Sequence, residues 1–253
     1  MTRGSLAAGV LGSVLWLSGC ATAQQPDPLE PLNRKVFAFN EVVDKAVLKP
    51  VATAYKDHIP SPVRKGVTNF FANLGDLWSA VNLMLQGRVG DSLSDVMRFN
   101  TNTVFGLLGV LDFATPLGMP RHGEDFGRTL GRWGVGPGAY LVWPLLGPST
   151  LRDSVGLPIE VQISPTLFVE QVPVRNTMTA TRLVDTRANL LEATGLLDDL
   201  SLDKYAFTRN AYLQRRQKQI ERSKPGKPDD DEYEEVTPAS PAASAPAAAA
   251  SAP

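Results

Sequence analysis

Val67-Thr68-Asn69-Phe70-Phe71-Ala72-Asn73-Leu74-Gly75-Asp76-Leu77-Trp78-Ser79-Ala80-Val81-Asn82-Leu83-Met84-Leu85-Gln86 is the stretch that decides how this chain is built. Val67, Phe70, Phe71, Leu74, Leu77, Trp78, Val81, Met84 and Leu85 recur every three or four residues, the spacing of one helix face. The opposite face is unusual: it carries Thr68, Asn69, Asn73, Asp76, Ser79, Asn82 and Gln86, with a single charge. A helix on the surface of a water-soluble domain carries more Lys and Glu there. Gly87 is the expected stop. The next helix, expected to be capped by Asp91, sets Leu93, Val96, Met97, Asn100, Thr103, Val104 and Leu107 on one side. Its polar run Asn100, Thr101, Asn102 and Thr103 is again neutral.

Working outward, Asp27-Pro28 opens the domain as a turn, and Val36, Phe37, Phe39, Val42, Val43, Ala46 and Val47 follow at helical spacing. Lys49-Pro50 is expected to end or kink that helix. Residues 105–118, 131–148 and 155–174 are apolar, yet Gly, Pro and acidic residues interrupt them too often for any to span a bilayer. Two later helices look conventional. Thr181–Thr194 is expected to turn Leu183, Val184, Ala188, Leu190 and Leu191 inward and to stop at Gly195. Leu202–Arg222 becomes basic towards its end. No strand shows clear alternation and no internal repeat is visible. The expectation is an all-α single domain of amphipathic and broken apolar helices over residues 26–222.

The ends differ from this body. Arg3 precedes an uncharged run from Leu6 to Leu17, which is shorter than the roughly 20 residues that a spanning helix needs. It has the form of a signal peptide over residues 1–19. It ends in Leu17-Ser18-Gly19-Cys20, which resembles a bacterial lipobox, so Cys20, the one cysteine of the chain, is the expected lipidation site and residues 20–25 a lipidated segment. Ala21, rather than Asp, suits sorting to the outer membrane. Residues 223–253 join a Lys/Pro/Gly linker, an acidic cluster and Ala/Ser/Pro repetition, a composition expected to be disordered. Six of the 26 acidic residues lie in that tail, leaving 25 basic against 20 acidic residues up to Pro228, a net charge of +5. A mildly basic body suits anionic headgroups; it lacks the clustered cations that nucleic acid requires.

Catalysis finds little footing. There is no Gly-x-Ser-x-Gly elbow. His58 and His122 are the only histidines, and Arg121-His122-Gly123-Glu124-Asp125 reads as a solvated turn with a helix-starting acid pair. A metal site would need more ligands at regular spacing. Gly134–Gly138 lacks the flanks of a phosphate loop. The expectation is a protein that is not an enzyme and holds neither cofactor nor metal.

An ordered series of motifs carries a resemblance. Asp27, Pro28, Leu29, Glu30, Asn33 and Arg34 lead to Phe37, Phe39 and Asn40. Lys49-Pro50-Val51-Ala52 with Tyr55, Asn69-Phe70 with Asn73-Leu74, and Asn82 with Leu85-Gln86-Gly87 follow. Arg98-Phe99 with Asn102-Thr103 and Gly106, Phe126-Gly127 with Thr129-Leu130-Gly131, Leu151-Arg152-Asp153 and Thr186-Arg187-Ala188 complete it. Together they resemble the MlaA (VacJ) family of outer-membrane lipoproteins. The resemblance implies a helical ring embedded in one leaflet of the outer membrane from the periplasmic side, with a polar central channel. It also implies removal of mislocalised phospholipids from the outer leaflet to maintain lipid asymmetry. The partners implied are phospholipids, a trimeric porin and a soluble periplasmic phospholipid carrier. The alternative is a structural lipoprotein that scaffolds a porin or envelope complex. The neutral polar faces suggest that Asn69, Asn73, Asn82, Asn100 and Thr103 contribute to the channel or to hydrogen bonds between helices, with ordinary packing an equal alternative.

Overall fold

The computed structural model describes residues 27–163 and 169–224. The signal peptide, Cys20 and most of the tail lie outside the described residues. Helix α1 (Glu30–Val43) starts on Pro31 in its first turn and runs through a π-helical turn (Asp44–Leu48) into α2 (Lys49–His58). Pro50 therefore does not end the helix. It falls in the first turn of α2, and Lys49 N–H bonds Asp44 O five residues back, so one wide turn replaces the expected break. Helix α3 (Ser61–Leu85) begins after extended Pro60. It ends where Gly87 takes φ +74 and Gly87 N–H and Arg88 N–H reach back to Met84 O and Leu83 O, a Schellman closure. Helix α4 (Val89–Val104) starts two residues before Asp91, which sits in the first turn and accepts from Arg88 Nε at 2.6 Å rather than capping the helix.

An irregular stretch leads to α5 (Phe126–Arg132), capped by Asp125, whose Oδ1 accepts from Arg128 N–H at 2.8 Å. A hairpin follows that periodicity did not reveal. Strand β1 (Tyr140–Trp143) pairs antiparallel with β2 (Gly147–Thr150), Tyr140 opposite Thr150 and Trp143 opposite Gly147. Each strand has only four residues, and β2 is Gly-Pro-Ser-Thr, with no apolar alternation to read. Helices α6 (Leu151–Ile163), α7 (Val172–Asn189), α8 (Leu191–Leu200) and α9 (Lys204–Arg222) complete the chain. Gly195 lies inside α8 and the break falls at Leu190 instead. The inward face of α7 is Asp185 and Ala188, while Leu183 and Leu190 are exposed. Asp185 sets that rotation by accepting from Tyr55 Oη at 3.1 Å and Thr68 Oγ1 at 2.8 Å.

The packing closes on itself. Helix α1 lies on β1, β2 on α9, α9 on α5, α5 on α3, α3 on α7 and α7 on α2, which the π turn joins back to α1. Around this circuit the usual polarity is reversed along α3 and α4. Buried positions are mostly polar, Asn73, Asp76, Ser79, Asn82, Gln86, Ser92, Asp95, Arg98 and Asn102, with Ala80 and Leu83 among them. Exposed positions include Leu77, Val81, Met84, Leu85, Leu93, Met97 and Val104, and the apolar surface continues through Phe105, Leu107, Leu108, Leu111 and Phe113. So broad an apolar exterior marks contact with something other than water. Among the described residues no helix is long and apolar enough to cross a membrane. Among the described residues a conventional apolar cluster forms at one corner. There Tyr140, Val142 and Tyr205 are buried with Phe37 and Tyr212 against them, and the rings meet edge to face at 5.6–6.3 Å.

Candidate functional site

The polar interior is organised by charge rather than by neutral amides. Arg98, 1% exposed, donates from Nε to Asp76 at 3.1 Å, from Nη2 to Asp112 at 2.8 Å and from Nη1 to Met119 O at 2.6 Å. Asp76 also pairs with Arg121 at 2.8 Å. Burial raises the Asp76 pKa despite both cations. Burial opposes the charge of Asp112 too, but Thr115 donors and Arg98 overcome it and hold that carboxyl at about 2. Asn102 accepts from Phe113 N–H and Ala114 N–H at 2.8 and 2.9 Å. The irregular stretch after α4 is thus fastened from beneath by Arg98 and Asn102.

Within 121–125 the side chains of His122 and Glu124 are buried rather than solvated as the sequence suggested, while Gly123 is exposed and Arg121 partly so. The His122 side chain is 5% exposed, with Nδ1 2.7 Å from Asp95 Oδ1. Burial alone would lower its pKa; the Asp95 hydrogen bond and the charges of Asp95 and Asp91 raise it instead. Buried Glu124 accepts from Gln86 at 2.9 Å and pairs with Arg128 at 2.6 Å, and its N–H donates to Ser79 Oγ at 2.9 Å. Only Asp125 starts a helix as expected. The missing half of the pattern was the row Ser92, Asp95, Arg98 and Asn102 on α4, spaced at three and four like the apolar row beside it. Its partners stand on the loop beyond.

The residues singled out from sequence divide. Asn73 Nδ2 donates to Thr103 Oγ1 at 3.0 Å, joining α3 to α4. Gly109 packs over Asn73 at φ +92, where a β-carbon would collide with the amide. Asn69 donates to Val110 O at 3.2 Å. Asn82 accepts from Thr129 Oγ1 at 2.9 Å, tying α3 to α5. Asn100 is exposed and bonds Val96 O of its own helix, apart from the others. The N-terminal motif forms a fastening. Asn33 donates to Tyr140 O at 2.9 Å and accepts from Val142 N–H at 3.0 Å. Asn40, two turns on, donates to Trp143 O at 2.9 Å and accepts from Leu145 N–H at 2.8 Å. Two side-chain amides thus take the place of a third strand. Asp27, next to Pro28, accepts from Asn33, Arg209 and Tyr205, Glu30 pairs with Arg34 and Arg209, and Arg34 reaches Asp203. Phe37 meets Tyr205 edge to face, whereas Phe39 is exposed.

Among the described residues, three of the recesses on this frame bear on its chemistry. One of about 260 Å³ lies between the hairpin, α5, α6 and α9, lined by Asp125, Trp143, Asp153, Tyr212, Arg215 and Arg216 among others. A second, about 220 Å³, includes Asn40, Lys45, Lys49, Arg187, Asp198 and Lys204 in its wall. Gly147 and Pro148 of β2 belong to both. The third is an apolar groove of about 580 Å³ between α3 and α7, lined by Val63, Val67, Phe70, Phe71, Val110 and Met178 with their neighbours. Polar and apolar recesses on one small frame suit an amphiphile. Among the described residues no group of three His, Cys, Asp or Glu could hold a metal ion.

Comparison with known proteins gives this frame its relatives. A sequence profile described as MlaA lipoprotein matches residues 25–219. The intermembrane phospholipid transport system lipoproteins MlaA of Shigella flexneri and Escherichia coli K12 are each 39% identical over 219 residues, covering 83% of this chain and 86% of theirs. The corresponding protein of Haemophilus influenzae is 32% identical, covering 84% and 89%. A solved structure from work on the structural basis for maintenance of bacterial outer membrane lipid asymmetry superposes with a TM-score of 0.67 at 37% identity, covering 77% of this chain and 98% of that one. With matches of this extent in profile, sequence and fold, the chain belongs to the MlaA lipoprotein family.

Proposed function

We propose that this protein is the outer-membrane lipoprotein of an intermembrane phospholipid transport system. In this reading it removes mislocalised phospholipids from the outer leaflet and hands them to a soluble periplasmic carrier, working beside a trimeric porin. The observation that carries it is the reversed polarity of α3 and α4. Exposed Leu77, Val81, Met84, Leu93 and Met97 face acyl chains, while the Asp76, Asp95 and Arg98 interior stays wettable. An apolar outside and a polar inside are what a ring sunk in one leaflet needs, because lipid offers no partners to polar groups. The relatives' names point to the same cargo. Asn69, Asn73, Asn82 and Thr103 belong to the lining of the polar interior in this reading, and Asn100 to the surface. Cys20 supplies the anchor and the address. Three acyl chains there would make the tether permanent, at about 0.8 kcal/mol per buried CH₂.

Deletion of the gene tests the reading, with outer-leaflet phospholipid measured under membrane stress. Surface phospholipid should rise in the deletion strain and fall again on complementation. Unchanged asymmetry would sink transport. A complementing variant that stays bound to porin but fails to clear phospholipid separates transport from scaffolding.

A further inference from the structure

The recess between the hairpin, α5, α6 and α9 holds more chemistry than a passage wall needs. Its carboxylates are already satisfied. Arg216 donates to Asp125 at 2.5 and 2.9 Å and to Asp153 at 3.0 Å, and Asp153 also receives Tyr212 Oη at 2.8 Å and Arg152 at 2.9 Å. The next cation, Arg128, is taken by Glu124. Arg215 remains. It lines the same recess, is exposed, and makes no hydrogen bond or ion pair among the described residues. Arg152, Arg215 and Arg216 stand against Asp125 and Asp153, which leaves one net positive charge, on a guanidinium with every donor free. Gln219, one helical turn from Arg215, also lines the recess, and its Oε1 is buried without a hydrogen-bond partner. That leaves an acceptor beside a cation. Trp143, Leu146 and Leu157 give the wall an apolar side. The volume of about 260 Å³ falls just below the ~300–1,000 Å³ of sites for drug-sized ligands, so it suits a headgroup and not a whole lipid.

We propose that this recess is a binding site for the phosphodiester headgroup of a phospholipid. Arg215 binds the phosphate oxygens through its planar fork, and Gln219 accepts a hydrogen bond from the ammonium or hydroxyl beyond the phosphate. The apolar side receives the glycerol end. The proposal rests on the transport reading and deepens it, giving the polar half of the cargo a stopping point beside Gly147 and Pro148.

The test uses full-length protein in detergent and dihexanoyl phosphatidylethanolamine as the probe, with glycerophosphoethanolamine and inorganic phosphate as competitors. Arg215→Glu should weaken probe binding by at least about tenfold, and Arg215→Lys, which keeps the charge and loses the fork, should fall between it and the wild type. Gln219→Leu should keep phosphate binding but lose the preference for glycerophosphoethanolamine over inorganic phosphate. Wild-type affinity in Arg215→Glu overturns the site. Equal competition by inorganic phosphate overturns the headgroup assignment, because the recess would then read a bare anion. Thermal melting of each variant separates lost binding from lost fold, and should Arg215→Glu not fold, Gln219→Leu decides alone. Failure of the transport reading shows elsewhere: asymmetry would survive gene deletion while the probe still bound.

Discussion

The α3–α4 pair and the corner where α1, the hairpin and α9 meet bury opposite kinds of side chain. The corner packs Phe37, Tyr140, Tyr205 and Tyr212 edge to face, buries the Asp27 carboxylate against Tyr205 and Arg209, and keeps Glu30 at its rim. The pair packs Asp76, Asp95, Arg98 and Asn102 and leaves Leu77, Leu85, Leu93 and both of its methionines outside, with Leu83 the buried exception. In the corner, stability scales with apolar area removed from water, and modest changes of shape are tolerated. In the pair, the interior is held by directional bonds between groups that are costly to bury unmatched. Where the exterior is itself apolar, burying more leucine gains little, and hydrogen-bond matching becomes the source of specificity.

The comparison breaks most readily at Arg98. Arg98→Met should cost about 3–5 kcal/mol, because Asp76 keeps only a partly exposed Arg121 and Asp112 loses its cation. Chemical denaturation in detergent measures it, and a loss under ~1 kcal/mol would show that the charge network is not what holds the pair. Asn33→Leu probes the corner. It strands Tyr140 O and Val142 N–H at about 1–3 kcal/mol each, less whatever water recovers, and should loosen β1 first in hydrogen exchange.

Leu108 sharpens the contrast between fold and surroundings. It is exposed at φ +60, as is Leu107 at φ +52. Leu108→Gly should relieve about 1 kcal/mol of left-handed strain and so stabilise the protein against denaturant. The same change should weaken its hold on phospholipid vesicles. A parallel rise or fall of both would contradict a lipid-facing loop. The smallest effect is a slope. His122 has a raised pKa in the fold, so its contribution is complete below its ordinary value of 6.5 and disappears as pH climbs through the raised value. His122→Gln should flatten the stability profile over that window and leave the profile near pH 5 shifted but parallel.

The two faces of α3 were legible because helical periodicity is local. Which face points inward was not, since amphipathicity fixes a partition and the surrounding medium fixes its direction. The nearly neutral row from Asn69 to Gln86 hinted at reversal, yet the charges it meets come from elsewhere: Arg98 from α4, and Arg121 and Glu124 from the loop. Short windows cannot show such partners. The hairpin escaped for a similar reason, as Asn33 and Asn40 hold it from more than a hundred residues away. On α7 the leucines suggested an inward side and Asp185 chose another. In the candidate site, Asn73, Asn82 and Thr103 could be picked from sequence. Arg215 and Gln219 could not, because only folding brings α9 beside the hairpin.

The π turn at Asp44–Leu48 acts as a phase shift in an otherwise continuous rod. One residue more than an α turn rotates everything after it by roughly 100° about the axis. That rotation sets buried Ala52, and Tyr55 with its bond to Asp185, towards α7, while Asp44 itself pairs with Arg187 at 2.6 Å. Removing a single residue between 44 and 48 would leave a straighter and more regular helix aimed at the wrong neighbour. The two ends of the circuit would then meet out of phase, and the ring would be open without any contact having been deleted.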